Sequence, residues 1–522
     1  MMRWVGLFLL AVILPGSAAE ARWLEAASDH FVIYADTREA TLREFSEELE
    51  LYHSAMERIT GTQMGTPSPS ARVTIYVVGD QREVRRINGD GNPFVAGFYI
   101  PRAAGSLAFV PRIVNRGSTT DFSQIVLLHE YAHHFMISSG LQAMPRWLSE
   151  GSAEFYASTK FKQDGTVLLG GPASHRAGEL FYSADVPLEQ LFDDKLYWEE
   201  RGRSHDAYYG RAWLLYHYLI FNDGRQGQLG QYWELLTKGT PSPEAGRQAF
   251  GDLAVLQREV DNYLKGRRMN QLEIGSLAGS PIAIRALTAG EAAVVPLRMV
   301  SKRGVNREQA LELLPDYRRL AGEHAGDGAV LAALAEAEYD AGNDAEAIAA
   351  ADRALALDPT QVNAYVQKGY ALFRQAGEAE DEAAAFTAAM APLRALNARE
   401  NDHPLPLIYY YRSFLERGEE PNALAVQALE RALELAPYDQ SLRMMVVLQQ
   451  ASEGRMEQAR LSVQPLAYDP HGGGRAEAAA RLLAFLQAQP EGTTMSIADA
   501  AANLYERPVG QADGGGEPVA SD

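Results

Sequence analysis

The second half of the chain carries a repeat that limits it to stacked pairs of helices. From about Asp327 the composition turns strongly to Ala, Leu and Glu, and a period of about 34 residues begins. The first unit, residues 328–361, has a turn glycine, two small packing residues and a terminal proline at Gly342, Ala347, Ala354 and Pro359. Later units keep parts of this pattern at Tyr365, Gly369, Ala425, Ala432, Pro437, Gly454 and Ala459. Small residues recur because each helix pair must approach its neighbours closely to bury a face that it cannot bury alone.

This pattern is typical of TPR repeats and predicts an all-α, TPR-like solenoid over residues 327–488. An irregular Ala-rich helical bundle is the alternative, since extra residues interrupt the period at 378–382 and after Ala395. Residues 489–522 are rich in Gly, Pro and acidic residues, and this composition predicts a disordered tail.

The first part of the chain alternates strand and helix patterns. Alternating apolar residues predict strands at 30–35 and 73–78, and helical spacing predicts a helix at 39–59 between them. Residues 97–100 and 106–110 are separated by Pro101 and Gly105, which predicts a hairpin. Further helices are predicted from Phe122 onward, with a capping pattern at Ser118 and Asp121, and at 145–158, 206–221 and 253–264. The sequence therefore predicts an α+β domain over residues 21–268, with a mixed sheet and several helices, and a helical linker over 269–326.

The N-terminus and the charge indicate where such a protein acts. Residues 1–20 contain an apolar run at 4–14, a Pro-Gly break and small residues at 17–19, which is the layout of a secretory signal peptide. The run is too short to span a bilayer comfortably, so we expect export to a bacterial periplasm or medium, with an uncleaved anchor as the alternative. The net charge of −20 argues against nucleic acid as a partner. We expect no stable membrane span after signal cleavage.

The chemistry is concentrated in the stretch HEYAH, residues 129–133, inside the helix that includes Phe122. Residues four apart share a helix face, so His129 and His133 can present two imidazoles to one metal ion, with Glu130 beside them to take a proton from water. The chain has no cysteine, so any metal must be held by His, Asp or Glu. A pair of histidines with a structural role is the competing interpretation.

A second stretch, PRWLSEGSAEFYA at 145–157, supplies the further ligand that two histidines need. Glu150 follows His133 after sixteen intervening residues, enough for one turn and a return on a second helix. Glu154 lies one turn further along the same face, where a carboxylate can accept a hydrogen bond from a ligand imidazole. An exposed helix carboxylate is the alternative role for Glu154.

HEYAH followed by WLSEG resembles the gluzincin zinc metallopeptidases, in particular the thermolysin and aminopeptidase N superfamily with its HExxH and (N/S)EG pattern. The resemblance implies a zincin-like catalytic domain that binds one zinc ion through His129, His133 and Glu150, with Glu130 as general base. The spacing between His133 and Glu150 is shorter than in either relative, and aminopeptidase N relatives lack a Glu at the position of Glu154. The chain is therefore more similar to the broader peptidase MA-like group of exported bacterial proteins with C-terminal TPR repeats, over about residues 30–263.

The resemblance also implies a donor that stabilises the oxyanion. Residues 206–219 are similar to the aminopeptidase N segment that supplies a tyrosine, and the apolar pattern selects Tyr208, with Tyr209 as the adjacent alternative. Aromatic packing of a helix is the competing interpretation for both. We expect His134 to be structural or to support a ligand, and we expect strand 106–110 to be an edge to which an extended peptide adds.

The sequence thus predicts an exported zinc-dependent peptidase whose substrate is a peptide or protein. The TPR-like region is expected to bind a protein partner, because such repeats offer concave surfaces and contain no catalytic cluster here. The first alternative is a noncatalytic TPR adaptor with a metal-stabilised front domain, against which the presence of Glu130 argues. The second is a zinc hydrolase that acts on other acyl substrates.

Overall fold

The computed structural model describes residues 23–89, 91–92, 95–112, 122–139, 144–202, 205–266, 269–277, 279–469 and 471–505. The predicted signal peptide and the predicted capping pattern at Ser118 and Asp121 lie outside these residues. The strands are β1 (Trp23–Ala27), β2 (Phe31–Asp36), β3 (Val73–Val78), β4 (Phe98–Ile100), β5 (Leu107–Pro111), β6 (Lys160–Phe161), β7 (Val167–Leu169), β8 (Leu272–Ile274) and β9 (Ala283–Ala286).

Helices of the first part of the chain are α1 (Glu39–Thr60), α2 (Gln81–Asn88), α3 (Phe122–Ser138), α4 (Arg146–Ala157), α5 (Ala177–Tyr182), α6 (Leu188–Phe192), α7 (Asp194–Glu200), α8 (Tyr208–Phe221), α9 (Gln228–Thr237), α10 (Ser242–Phe250) and α11 (Leu253–Leu264). Those of the second part are α12 (Ala289–Arg303), α13 (Arg307–Glu323), α14 (Gly328–Asp340), α15 (Asp344–Leu357), α16 (Val362–Ala376), α17 (Glu382–Arg399), α18 (Pro404–Glu416), α19 (Ala423–Leu435), α20 (Gln440–Ser452), α21 (Met456–Ala467), α22 (Gly474–Gln487) and α23 (Ile497–Tyr505). The chain therefore has a mixed α/β first part and an all-helical second part.

A mixed six-stranded sheet organises the first part, in the order β4-β5-β3-β2-β1-β9. The strands β2, β3 and β5 run parallel, as helical crossovers such as α1 require, while β1, β4 and β9 are antiparallel to their neighbours. Phe31, Ile33 and Ala35 of β2 are buried on one face against α1 and α3. The other face packs against α2 and α12 through residues such as Tyr76 and Val295. The sheet thus holds α3 against one of its faces.

The predicted hairpin is confirmed, but the expectation that residues 106–110 form an edge is wrong. Strand β5 lies between β4 and β3, so both of its sides are paired. The edge strand is β4, which pairs with β5 through Phe98 and Phe109. The alternating pattern could not reveal this order, because strand order depends on where the crossovers lead and not on the strand's own residues.

Helices of the second part pack mainly against their neighbours in the chain, as in a solenoid. Gly342, predicted as a turn residue, has φ +88° between α14 and α15, a conformation that favours glycine. The predicted packing residues Ala347, Ala354, Ala425 and Ala432 are fully buried. The assignment of these helix pairs to the TPR class stays a prediction. Of the helices that the structure describes, none combines the length and the apolar character that crossing a membrane requires.

Two predicted segment boundaries differ from the structure. The segment 269–326, predicted as a helical linker, begins with two strands before α12 starts. Strand β8 pairs with β7 in a second, three-stranded sheet of the order β6-β7-β8, and β9 pairs with β1 at the edge of the six-stranded sheet. The predicted disordered tail includes α23, which packs against α20 and α22. Residues 506–522 lie outside the described part of the chain. Composition alone did not reveal these short elements, because long-range contacts form them.

The helical part lies directly on the first part. The backbone N–H and the Oγ of Ser70 each donate to the Glu400 carboxylate at 2.9 Å. The backbone N–H of Ala103 donates to Asp439 at 2.7 Å, and Arg102 donates to backbone carbonyls that end α12. These contacts fix the position of α20 and its neighbours beside the helix that carries HEYAH.

Candidate metal centre

Two crossing helices bring the three predicted ligands together. His129 and His133 lie one turn apart on α3, and Glu150 lies in α4, which begins just after Pro145. The Nε2 atoms of the two histidines are 3.1 Å apart, and they lie 3.3 and 3.6 Å from Oε2 of Glu150. Donors at zinc-ligand distances from one tetrahedral centre are about 3.3–3.5 Å apart. The three atoms therefore surround one point at the separations that a bound metal ion requires.

The other ring nitrogen of each histidine, Nδ1, also has a partner. Nδ1 of His129 is 3.2 Å from Oε1 of Glu154, and Nδ1 of His133 is 3.2 Å from Oγ of Ser149. A histidine that donates from Nδ1 presents an unprotonated Nε2 on the opposite side of its ring. The contact predicted for Glu154 is thus present, and Ser149 has the corresponding role for His133.

The charge state of Glu150 suits a metal ligand. Glu150 is fully buried, and neither of its oxygens accepts a well-formed hydrogen bond from the described residues. Burial raises its pKa, but the imidazoles of His129 and His133 outweigh burial and hold the pKa well below its usual range. A buried carboxylate that stays ionised without hydrogen bonds is costly unless a cation satisfies it. The arrangement fits a cation at the point that its oxygen shares with the two histidines.

A buried network supports His129 from behind. Oε2 of Glu154 is 2.6 Å from Nε2 of His175, and its Oε1 accepts from Nε and Nη2 of Arg176 at 3.0 and 2.5 Å. Burial raises the pKa of Glu154, whereas its hydrogen bonds with His129 and His175 and the charge of Arg176 lower it well below its usual range. Arg176 also donates to Glu179 at 2.7 Å. The carboxylate that contacts His129 is therefore itself fixed by two further residues, His175 and Arg176.

The glycine after Glu150 allows close packing behind the site. A Cβ on Gly151 would lie 2.4 Å from the backbone oxygen of Ala212 and 3.3 Å from Cβ of Tyr216. Helices α4 and α8 therefore cross at a distance that only glycine permits at this position. Within WLSEG, the predicted metal ligand Glu150 is thus followed by Gly151, which allows α8 to pack directly against α4.

Glu130 lines a cavity of about 320 Å³ that also includes His133 and His471 of the candidate metal centre. One wall is the end of the sheet, with Gly97, Phe98 and Tyr99 at edge strand β4. The opposite wall comes from the helical second part and includes the aromatic residues Tyr438 and Tyr468. The cavity is of the size that small ligands and peptide side chains occupy. The second part of the chain therefore forms part of this site.

The structure adds a fourth group, His471, that the sequence did not indicate. His471 follows α21 and has its Nε2 3.3 Å from Oε1 of Glu150. One ligand atom from each of His129, His133, Glu150 and His471 lies within 4.8 Å of the others, so these four residues can hold a metal ion. In the sequence, His471 is an isolated histidine before three glycines, and no local pattern points to metal binding.

The two predicted tyrosines are the first two residues of α8. Tyr208 is buried, its ring lies 4.0 Å from the guanidinium carbon of Arg146, and its hydroxyl is 3.5 Å from Oδ1 of Asp194. Tyr209 is half-buried; burial and then the charge of Glu150 raise its pKa. Neither tyrosine is found among the described residues that line the cavity. The oxyanion role of Tyr208, or of Tyr209, stays a prediction.

The remaining histidines of the first part have other partners. Nδ1 of His134 lies 2.5 Å from the Tyr99 hydroxyl, and its ring packs on Tyr438. His217 contacts the carbonyl of Gly170 and the Tyr263 hydroxyl inside the core. The side chains of His134 and His217 therefore have structural contacts, and neither belongs to the group that can hold a metal.

Comparison with known proteins gives one match to a family, over a single segment of the chain. The profile of a family described as "Protein of unknown function (DUF1570)" matches residues 124–238. The matched segment contains HEYAH, Glu150, Glu154 and both tyrosines, and it ends one residue after α9. No curated protein matches the chain. The family description names no function.

Proposed function

We propose that the protein is a zinc-dependent peptidase with a zincin-like catalytic domain. The observation that carries the proposal is the convergence of Nε2 of His129, Nε2 of His133 and Oε2 of Glu150 on one point, beside Glu130 at the mouth of a cavity. Two imidazoles and a carboxylate are the ligands of hydrolytic zinc sites. The N/O donor set and the tetrahedral separations favour zinc over calcium or magnesium, which prefer six or more oxygen ligands.

A bound zinc ion would polarise the scissile carbonyl and make water a better nucleophile at neutral pH. Within this chain, Glu130 is the carboxylate that would take the proton from the attacking water and pass it to the leaving amine. His129, His133 and Glu150 would hold the ion, while Glu154 and Ser149 keep the two imidazoles in the required tautomer. A phenol, Tyr208 or Tyr209, is the proposed donor to the oxyanion.

An extended peptide is the substrate that suits this cavity. Strand β4 is an edge of the sheet and lines the cavity through Phe98 and Tyr99. Backbone groups of an edge strand can pair with an extended peptide, which would then pass beside Glu130. The wall from the helical part would limit which substrates enter. We propose that this part is a TPR-like solenoid, and that the chain is exported before it acts.

The test is cleavage of a broad peptide library by the full chain loaded with zinc, with products read by mass spectrometry. Glu130→Gln should keep the metal and lower the rate by about 100-fold or more, because it removes the general base. The matched control is Glu234→Gln, which changes an exposed carboxylate that pairs only with Lys238 among the described residues. The control should cleave as the wild type does.

If zinc-loaded protein cleaves no peptide but hydrolyses other acyl substrates through Glu130, the hydrolase remains and the peptidase proposal fails. If Glu130→Gln cleaves as fast as the wild type, the role of Glu130 is refuted. If the folded, zinc-loaded protein hydrolyses nothing, the noncatalytic adaptor is supported in place of the enzyme.

A further inference from the structure

His471 reaches the metal centre from the far side of the cavity. It belongs to the loop between α21 and α22, whereas the other three ligands come from α3 and α4. Its ring centroid lies 5.5 Å from that of His133 and 6.4 Å from that of His129. Its Nε2 lies 3.3 Å from the Glu150 oxygen that faces away from the two histidines. The helical part of the chain thus contributes a metal-ligating group to a site that α3 and α4 otherwise build alone.

The number of protein ligands decides what such a site can do. A structural zinc site has four protein ligands, whereas a hydrolytic site has three and keeps its fourth position open for water. A zinc ion held by His129, His133 and Glu150 would have one tetrahedral position left, and a ring nitrogen of His471 lies within 4.8 Å of the ligand atoms of the other three residues. An imidazole and a water molecule cannot occupy the same position. Ligation by His471 at the fourth position would therefore displace the water that a hydrolytic site activates there.

The attachment of His471 differs from that of the other ligands. Its side chain is 47% exposed, whereas that of Glu150 is fully buried. Its backbone N–H donates to Oδ1 of Asp469 at 2.9 Å, and the other oxygen of Asp469 accepts from Nε2 of Gln440 at 2.5 Å. Three glycines, 472–474, follow it, and Gly473 has φ +51°. The loop is thus anchored on one side of His471 and conformationally permissive on the other, so this imidazole can leave without disturbing the core.

We propose that His471 is a displaceable fourth ligand that closes the metal centre in the resting protein and leaves when substrate enters. The proposal rests on the proposed function, because a centre closed by His471 has a consequence for activity only if the centre hydrolyses substrates once His471 has left. It assigns the helical part a direct role at the metal, in addition to any partner that this part binds. A substrate that enters between β4 and the helical wall must compete with His471 for the fourth position.

The experiment uses the full chain loaded with cobalt(II), whose visible absorption depends on the number and kind of its ligands. Wild type is compared with His471→Ala, His471→Gln and the control His324→Ala, which changes a half-buried histidine of the helical part outside the cavity. Each protein is titrated with cobalt and then with acetohydroxamate, a small probe that needs an open position. All four should bind one equivalent of cobalt, because His129, His133 and Glu150, whose ligand atoms converge on one point, are unchanged in each of them.

The expected result is a changed cobalt spectrum for both His471 variants and an unchanged one for His324→Ala. Acetohydroxamate should bind the His471 variants about tenfold or more tightly than the wild type, because a closed state that is more than nine-tenths populated reduces apparent affinity by that factor. Equal spectra and equal acetohydroxamate affinities in wild type and both His471 variants would overturn the proposal. Two different substitutions of His471 are used so that the result does not depend on one variant that fails to fold.

Peptide cleavage by the same four proteins, loaded with zinc instead of cobalt, separates this proposal from the proposed function. If no sample cleaves but the spectra differ as expected, the peptidase assignment fails and His471 remains a ligand. If the wild type cleaves and the spectra are identical, the peptidase assignment remains and the displaceable ligand is refuted.

Discussion

Replacing Glu154 by glutamine tests how far metal binding depends on the buried network behind His129. The substitution keeps the shape and one acceptor oxygen, but it removes the charge that His129, His175 and Arg176 share. Loss of such an outer carboxylate lowers metal affinity by about 10–100-fold, or about 1.4–2.7 kcal/mol. We also expect the metal-free protein to lose about 2–4 kcal/mol of stability, because the hydrogen bonds involve charged groups and lie in the interior.

The assay is competition for zinc against a chelating indicator, with urea unfolding of the metal-free protein measured alongside. Glu179→Gln is the matched control, because Glu179 binds the same Arg176 from the other side and does not contact His129. The control should lose stability while its zinc affinity stays within about threefold of the wild type. Zinc affinity of Glu154→Gln within threefold of the wild type would refute the reasoning that this carboxylate orients His129.

Three further predictions concern packing, acid stability and the contact between the two parts of the chain. Gly151→Ala brings a Cβ to 2.4 Å from a backbone oxygen of α8 and should cost about 1–3 kcal/mol in urea unfolding, while Gly230→Ala, in open space on α9, should not destabilise. Burial, followed by the charge of a neighbouring histidine, lowers the pKa of His53 to about 3, so below pH 6.5 the unfolded state binds a proton that the native state does not. Stability is then lost as pH falls from 6.5 towards 3. The free energy of unfolding in urea, measured at pH 7 and at pH 5, should fall by about 2 kcal/mol less in His53→Gln than in the wild type. An equal fall in both proteins would contradict this. Glu400→Gln weakens its two hydrogen bonds with Ser70, so the amide of Ser70 should exchange about tenfold faster in hydrogen-exchange mass spectrometry, and an unchanged rate would count against this contact as an anchor.

The part of the site that could be predicted from the sequence is the part set by helix periodicity. His129 and His133 are four residues apart, and Glu150 and Glu154 are four apart, so each pair shares a face whatever the tertiary structure. The remaining requirement was that the two faces meet, and they do so at 3.3 and 3.6 Å between Glu150 and the histidines. Helix periodicity was therefore enough to predict that these four side chains form two pairs, each pair on one face of its helix.

The other features depend on contacts between distant segments and left no local signal. His471 reaches the candidate metal centre because the helical part is held against the first part by long-range contacts, among them those of Ser70 and Ala103. The order of the strands in the sheet likewise depends on contacts between segments that are distant in the sequence. Strands β8 and β9 pair with β7 and β1, which lie far from them in the sequence. Because of this pairing, the segment 269–326 contains strands as well as helices.

The helical part was predicted from its own repeat, yet its position was not. Buried alanines such as Ala347 and Ala354 follow from the period, because neighbouring helices require small residues at those positions. The period contains no information about which surface the first helices bury. In the structure, α12 covers one face of the sheet through Val295 and Met299, and this contact brings the helical part over the cavity. A partner-binding role for this region stays a prediction.

The measurement that tests the account most directly is the zinc content of the full chain, by atomic emission, for wild type, His133→Ala and Glu150→Ala after dialysis against zinc and then buffer. The account predicts one zinc ion per chain in the wild type and loss of most of the metal in both variants, with circular dichroism showing that all three remain folded. Wild-type protein without zinc, or folded variants that retain a full equivalent, would contradict the metal centre on which the proposed chemistry depends.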